Sequence, residues 1–149
     1  MFDSLAPFFL LVLFFLGLII IWRVNARKYI SSGTVASAYD SWTQDKLLER
    51  LWGEHIHLGF YPEFKKNVDF RKAKVQFVHE LVKWSGLYKL PKGSRILDVG
   101  CGIGGSSRIL AKYYGFNVTG ITISPAQVKR ARELTPSGLS CNFQVMDAL

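Results

Sequence analysis

The sequence has little cysteine, little acid and no great length. Cys101 and Cys141 are its only cysteines, which supports no disulfide framework and points to a reducing compartment. No Cys/His cluster has the spacing of a metal site. Eleven acidic residues stand against nineteen lysines and arginines, a formal net charge of +8. The excess is spread over 46–92 and 129–132 instead of forming one basic block. Phosphate contacts would need such charges, but beside an apolar segment an anionic lipid surface is the simpler partner. Nucleic acid is not expected as a partner, and most of these residues read as a solvated surface. A chain of 149 residues allows one domain of ordinary size.

Charge is missing altogether from residues 5–22, where Phe, Leu, Ile and Val dominate. Eighteen residues give roughly 27 Å of helix, close to the hydrocarbon thickness of a bilayer. A core helix is rarely apolar on every face for so long. A cleaved signal sequence is the other reading, with Val24-Asn25-Ala26 as a small-residue site, but Met1-Phe2-Asp3-Ser4 lacks the basic start such a signal wants. The expectation is a transmembrane anchor over 1–24, followed by a polar tether over 25–34. Arg23, Arg27 and Lys28 against Asp3 place the C-terminal side in the cytoplasm.

Helical spacing then appears in Val35, Ala38, Tyr39 and Trp42 and, after a break near Asp40, in Leu47, Leu48, Leu51 and Trp52. Residues 52–62 are too rich in Gly, Pro and aromatics for a helix. If they are extended, His55 and His57 point to the same side. The pair can serve as a substrate-side proton acceptor or be held structurally by the backbone, and a metal is not expected because further ligands are lacking. Residues 68–85 predict a helix with an apolar stripe of Phe70, Ala73, Phe77, Leu81 and Trp84, widened by Val78 and Val82 and ended by Gly86.

An alternating αβ pattern follows. Strand Arg95–Val99 runs into Gly100-Cys101-Gly102-Ile103-Gly104-Gly105, and a helix starts near Ser106. A second strand covers 117–123, and a third covers Cys141–Val145, with Asp147 just beyond. Between them Ser124-Pro125-Ala126-Gln127 opens a helix to Leu134, with Ser124 as cap, Pro125 at the first position and Gln127 completing a capping box. This alternation predicts a parallel sheet, with ligands bound outside the carboxyl ends of its strands. Asp98, the glycine loop, Thr122, Ile123 and Asp147 all fall at those ends.

A glycine-rich turn removes side chains so that a ligand can lie on bare backbone. Gly100, Gly102 and Gly105 satisfy the dinucleotide spacing, so NAD and S-adenosylmethionine both remain open on the glycines alone. Asp98 directly before the loop would repel a pyrophosphate, whereas S-adenosylmethionine brings an ammonium and a sulfonium. A dinucleotide site also wants an acid at the end of the second strand, and Thr122 stands there. The expected cofactor is S-adenosylmethionine.

The run Leu97-Asp98-Val99-Gly100-Cys101-Gly102-Ile103-Gly104-Gly105 resembles the first motif of the S-adenosylmethionine-dependent methyltransferases. With Ser106-Ser107-Arg108, Val118-Thr119-Gly120-Ile121-Thr122-Ile123-Ser124-Pro125, Tyr39-Asp40 and Trp52-Gly53-Glu54-His55-Ile56-His57-Leu58-Gly59, the chain resembles the tocopherol and plastoquinone pathway methyltransferases of photosynthetic organisms. Within these it is most similar to the cyanobacterial 2-methyl-6-phytylbenzoquinone type. The resemblance implies a Rossmann-like methyltransferase fold over 94–149, preceded by a helical lid over 35–93. Asp98, Gly100, Cys101, Gly102 and Gly104 would hold the amino acid and ribose side of the cofactor. Thr122 and Ile123 would follow at the second strand, Asp147 and Ala148 at the adenine, and Tyr39 in the lid.

The chemistry implied is methyl transfer to a ring carbon of a prenylated benzoquinol, a lipid-soluble acceptor, at a thylakoid or plasma membrane. Removing a phenolic proton makes the ring carbon nucleophilic, so His55 or His57 is the candidate base. A γ-tocopherol, sterol or lipid methyltransferase could share these motifs, and an NAD-linked oxidoreductase or a non-catalytic tethered fragment is the alternative of another class. No obligate protein partner is evident. The family's sheet has about seven strands and this sequence supplies three, so an N-terminal fragment, inactive by itself, is expected, with Arg95–Val99 as an exposed apolar edge.

Overall fold

The computed structural model describes residues 6–25, 32–62 and 68–149. By its contacts the chain divides into two units, 1–34 and 35–149. The first carries α1, Ala6–Asn25, whose large apolar side chains from Phe8 to Ile21 are all exposed. Among the described residues, no helix is long and apolar enough to cross a membrane. The transmembrane helix expected over 1–24 is therefore not established by the fold. Of the expected tether, Asn25 ends α1, 26–31 lie outside the described residues, and the next helix has already begun at Ser32.

In order, the chain then forms α2 (Ser32–Gln44), α3 (Leu47–Trp52), α4 (Phe70–Ser85), a 3₁₀ turn (Leu87–Lys89) and β1 (Arg95–Val99). After these come α5 (Gly105–Tyr114), β2 (Asn117–Thr122), α6 (Pro125–Leu134) and β3 (Cys141–Val145). The three strands are parallel in the order β1-β2-β3, with Asp98 opposite Gly120 and Gly120 opposite Phe143. Such pairing demands a crossover between strands, and α5 and α6 supply both. Their carboxyl ends at Val99, Thr122 and Val145 line up on one side. Gly100 and Cys101 both donate backbone N–H groups to the Ile121 carbonyl, at 2.9 and 3.0 Å, which turns the glycine loop over the end of β2.

One core cluster joins Val78 and Val82 of α4 to Ile109 and Leu110 of α5 around Phe116 and Val118. A second joins Val128 and Ala131 of α6 to Phe143 and Cys101. β1 is the edge of the described sheet, and its Leu97 and Val99 are exposed.

Two local expectations fail for identifiable reasons. The break near Asp40 is absent, because α2 runs through it to Gln44 and the chain turns instead at Lys46, in the left-handed region at φ 52°. The α4 stripe keeps the expected Ala73, Val78 and Val82 but loses its Leu81 and Trp84 edge and takes in Lys74. Ala73, Lys74, Val78 and Val82 are buried, while Leu81 and Trp84 are exposed. Lys74 can occupy the inner face because its ammonium donates to the carbonyls of His55 and Trp52, at 2.7 and 3.1 Å.

Candidate active site

A cavity of about 430 Å³ opens at the carboxyl ends of the strands. Its floor is the turn after β1. Gly100 and Gly102 have φ of 73° and 56°, and a Cβ added to either would meet nothing within 4 Å. Bare backbone therefore faces the cavity, in a conformation that L side chains rarely adopt. Asp98 lines the same space from the end of β1. Its Oδ2 accepts a hydrogen bond of 2.6 Å from the buried Ser107 hydroxyl of α5. Burial raises the Asp98 pKa above the ordinary carboxylate value, and the Ser107 bond works against that rise.

Thr122 and Ile123 line the wall at the end of β2, while Asp147 and Ala148 stand at the rim after β3. The Thr122 hydroxyl is committed to Gln127 Oε1, at 2.7 Å. That bond replaces the expected capping box. Ser124 caps α6 by accepting from the Gln127 N–H at 3.1 Å, but the Gln127 side chain turns to Thr122 instead of reaching back to Ser124. It leaves the Gln127 NH₂ as the donor this wall can offer a ligand, and Gln127 also lines the cavity. The Cys101 thiol is pushed up to about 12, first by burial and then by Asp98, so it stays protonated and packs beside Gly120 and Phe143.

The other side of the cavity is built by residues before the sheet. Tyr39 comes from α2, and His55 and His57 from the extended stretch after α3. Three long-range interactions dock these segments. Asp40 accepts from Ser124 Oγ at 2.5 Å and from the Ala126 N–H at 3.0 Å, so a carboxylate meets the N-terminal end of α6. Arg130 grips both oxygens of Glu49, at 2.6 and 2.9 Å. Arg108 reaches Glu54 at 2.6 Å and also donates to the Ile103 carbonyl at 2.8 Å, tying the lid loop and the glycine loop to one guanidinium.

Gly104 and Gly105 serve neither wall as open backbone. Gly104 does not line the cavity, and a Cβ there would lie 2.6 Å from the Phe143 ring. Gly105 lies where the lid comes closest, and its Cβ would meet the Glu54 carbonyl oxygen and the His55 ring, both at 2.8 Å. Sequence reasoning reached neither role, and it gave no such part to Glu54, Lys74, Ser107, Arg108 or Gln127. Glu54, Ser107 and Arg108 stood only inside the resembling motifs, and the signal at Gln127 pointed to a cap.

Residues 96–149 match the family described as a methyltransferase domain. A 2-methyl-6-phytyl-1,4-hydroquinone methyltransferase of Synechocystis is 59% identical over 129 residues, covering 87% of this chain and 41% of that protein. A probable chloroplastic tocopherol O-methyltransferase of Oryza sativa is 42% identical over 77% of the chain and 33% of its own length, so the chain spans well under half of these relatives. Among solved structures, magnesium protoporphyrin IX methyltransferase of Synechocystis with bound SAH aligns at TM-score 0.55 and 26% identity, over 78% of this chain and 51% of that one. The [4+2]-cyclase SpnF aligns at TM-score 0.67 and 30% identity, over 79% and 43%. One methyltransferase fold thus supports more than one reaction, and the chemistry must be argued from the site. The cavity fits S-adenosylmethionine in kind, with an acid beside open glycine backbone, an amide donor on the adjoining wall and no lysine or arginine among its lining residues to hold a phosphate.

Proposed function

We propose that this chain forms the methyl-donor site of an enzyme that methylates a ring carbon of a prenylated hydroquinone. The observation that carries the reading is a carboxylate, Asp98, beside open glycine backbone in a cavity that a histidine pair also lines. S-adenosylmethionine, when bound, supplies an electrophilic methyl group on a sulfonium. Asp98 would hold the donor's ammonium, Gly100 and Gly102 would admit its amino acid and ribose side, and Asp147 and Ala148 would border the adenine. Gln127 would take the place of the acid that many such sites offer the ribose. The lid, Tyr39 included, excludes water and holds ring carbon and methyl in line, the arrangement from which most of the rate should come. The similarity to a 2-methyl-6-phytyl-1,4-hydroquinone methyltransferase supports the acceptor class. Such an acceptor partitions into lipid, and the exposed apolar side chains of α1 support a membrane contact.

The test uses the whole gene product with labelled donor and lipid vesicles holding the hydroquinone. Label on a ring carbon is expected. Label on a hydroquinone oxygen in place of the ring carbon, or no label at all, moves the acceptor, and binding of NAD in place of S-adenosylhomocysteine overturns the reading. A second measurement concerns the wall after β2. Gln127→Met should weaken S-adenosylhomocysteine by about tenfold in calorimetry, the worth of one hydrogen bond. Thr122→Val, which keeps the amide, should cost clearly less. Equal losses would assign the role to Thr122.

A further inference from the structure

The two histidines are not equivalent, and the hydrogen bonds around them set a direction. His57 Nδ1 lies 2.8 Å from the Leu58 carbonyl oxygen. A carbonyl only accepts, so Nδ1 carries the proton and, in the neutral ring, Nε2 holds the lone pair. His57 Nε2 lies 3.1 Å from His55 Nδ1. With His57 neutral, His55 must donate there from Nδ1, which leaves the lone pair of His55 on Nε2. The rings meet edge to face with centroids 5.0 Å apart, and His57 rests on Phe77 at 5.3 Å.

From this arrangement we propose that His55 takes the acceptor's phenolic proton at Nε2, and that its own Nδ1 proton passes to His57 Nε2, so that His57 stores the charge. The inference rests on the hydroquinone reading above. In the first step the phenol O–H breaks, a new N–H forms on His55 Nε2, and one N–H moves from His55 to His57. The products are a phenolate and a His57 imidazolium. S-adenosylmethionine, when bound, would supply the methyl group that the phenolate's ring carbon takes, its sulfur keeping the electron pair of the C–S bond. Rearomatisation releases the ring hydrogen as a proton, the phenol oxygen retakes the stored proton, and one proton in all leaves to solvent.

The heavy-atom positions serve both end states. Before transfer His57 accepts from His55; afterwards its Nε2–H donates back, while Nδ1–H stays on the Leu58 carbonyl in each case. The surroundings favour His57 as the holder. Burial, then the nearby His57, drives the protonated form of His55 down to about 4, with Arg108 and Lys74 acting in the same sense and Glu54 opposing them. His57 lies near enough to Asp98 for the two to attract when both are charged. The facing groups are therefore Glu54 on the same loop, Lys74 and Phe77 of α4, Arg108 of α5 and Asp98 of β1.

His55 is held in place by contacts outside the pair. Lys74 grips the His55 carbonyl at 2.7 Å, Arg108 grips Glu54, and Gly105 has no side chain to push the ring away. His55 is thus placed as the catalytic residue, and His57 as a positioning residue that acts through it.

The test combines nitrogen-15 NMR of the histidine-labelled whole gene product with the kinetics of His57→Gln. At neutral pH both rings should be Nδ1–H tautomers, and on acidification the first proton should settle on His57. In His57→Gln, whose amide can still donate to Leu58 and accept from His55, kcat should fall about 100-fold. Affinity for S-adenosylhomocysteine should not change, and the acid limb of kcat should move toward lower pH. An Nε2–H tautomer on His55, a first proton on His55, or an unchanged kcat and acid limb overturns the relay. The tautomers are read without any acceptor. If they are as expected and the wild type turns over no hydroquinone, the acceptor reading falls and the direction of the pair stands.

Discussion

Asp98→Asn is expected to weaken S-adenosylhomocysteine by about 100-fold without lowering the melting temperature of the ligand-free protein at neutral pH. The two halves follow from one environment. The carboxylate ends β1 at the cavity, where burial raises its pKa against the Ser107 bond. Among the described residues no lysine or arginine pairs with this carboxylate, so a ligand ammonium gains a charge-assisted bond worth about 2–3 kcal/mol, roughly two decades of affinity. Stability has the opposite sign. Because the folded pKa lies above the unfolded one, the native state binds protons more readily. Stability is then fully present below the unfolded carboxylate pKa and is lost as pH rises through the raised folded value. Asparagine keeps an oxygen for the Ser107 hydroxyl and removes that loss, so the variant should melt at or above the wild type at pH 7 and show no advantage in acid. Calorimetry and thermal melts across pH check both. Wild-type affinity in Asp98→Asn would move the donor's ammonium elsewhere, and a much lower melting temperature would make Asp98 a structural residue.

What the sequence made legible was local. The apolar run 95–99, the glycine cluster and the Ser124-Pro125 start each carry their signal within a few residues, and β1, the turn and α6 stand there. α4 exists where its periodicity puts it, yet its inner face includes Lys74, because two loop carbonyls some twenty residues away supply acceptors that no periodicity records. The lid is the extreme case. Asp40 reads as a helix breaker in sequence, and its partners Ser124 and Ala126 lie more than eighty positions on. Arg108 reads as the polar face of a short helix, and it is buried by bonding Glu54, Ile103 and Ala131 together. Charges that appear surplus in the composition are used inside to fasten backbone. The wider depression of about 700 Å³ on the far side of the lid loop is lined by such groups, Arg71, Lys74 and Arg108. Each of them donates to main-chain carbonyls.

The glycine run gives the sharpest separation between folding and chemistry, because two adjacent positions fail in different ways. Gly104→Ala should destabilise the fold by about 2–4 kcal/mol. Its φ of 81° strains an L side chain, and the added Cβ, 2.6 Å from the Phe143 ring and 2.9 Å from the Arg108 guanidinium, overpacks a site filled by a fully buried aromatic. Phe143 cannot yield easily, since it sits in the middle strand residue of β3 and packs with Cys101, Val128 and Ala131. Gly105→Ala meets no such strain. It begins α5, where alanine is the better helix former, and its Cβ collides with the lid, at the Glu54 carbonyl and the His55 ring. The lid is the softer side, held by single side chains such as Glu54 on Arg108 and Lys74 on the His55 carbonyl. It should move outward and take His55 with it. The expected outcome is a melting temperature near that of the wild type, donor affinity within a few-fold, and kcat lower by about 100-fold, because a displacement near 1 Å is enough to spoil an attack geometry. Thermal melts of the two variants beside single-turnover methyl transfer make the comparison. If Gly105→Ala unfolds the protein as Gly104→Ala does, the lid is part of the folding core; if it leaves kcat intact, His55 does not act from the position it holds.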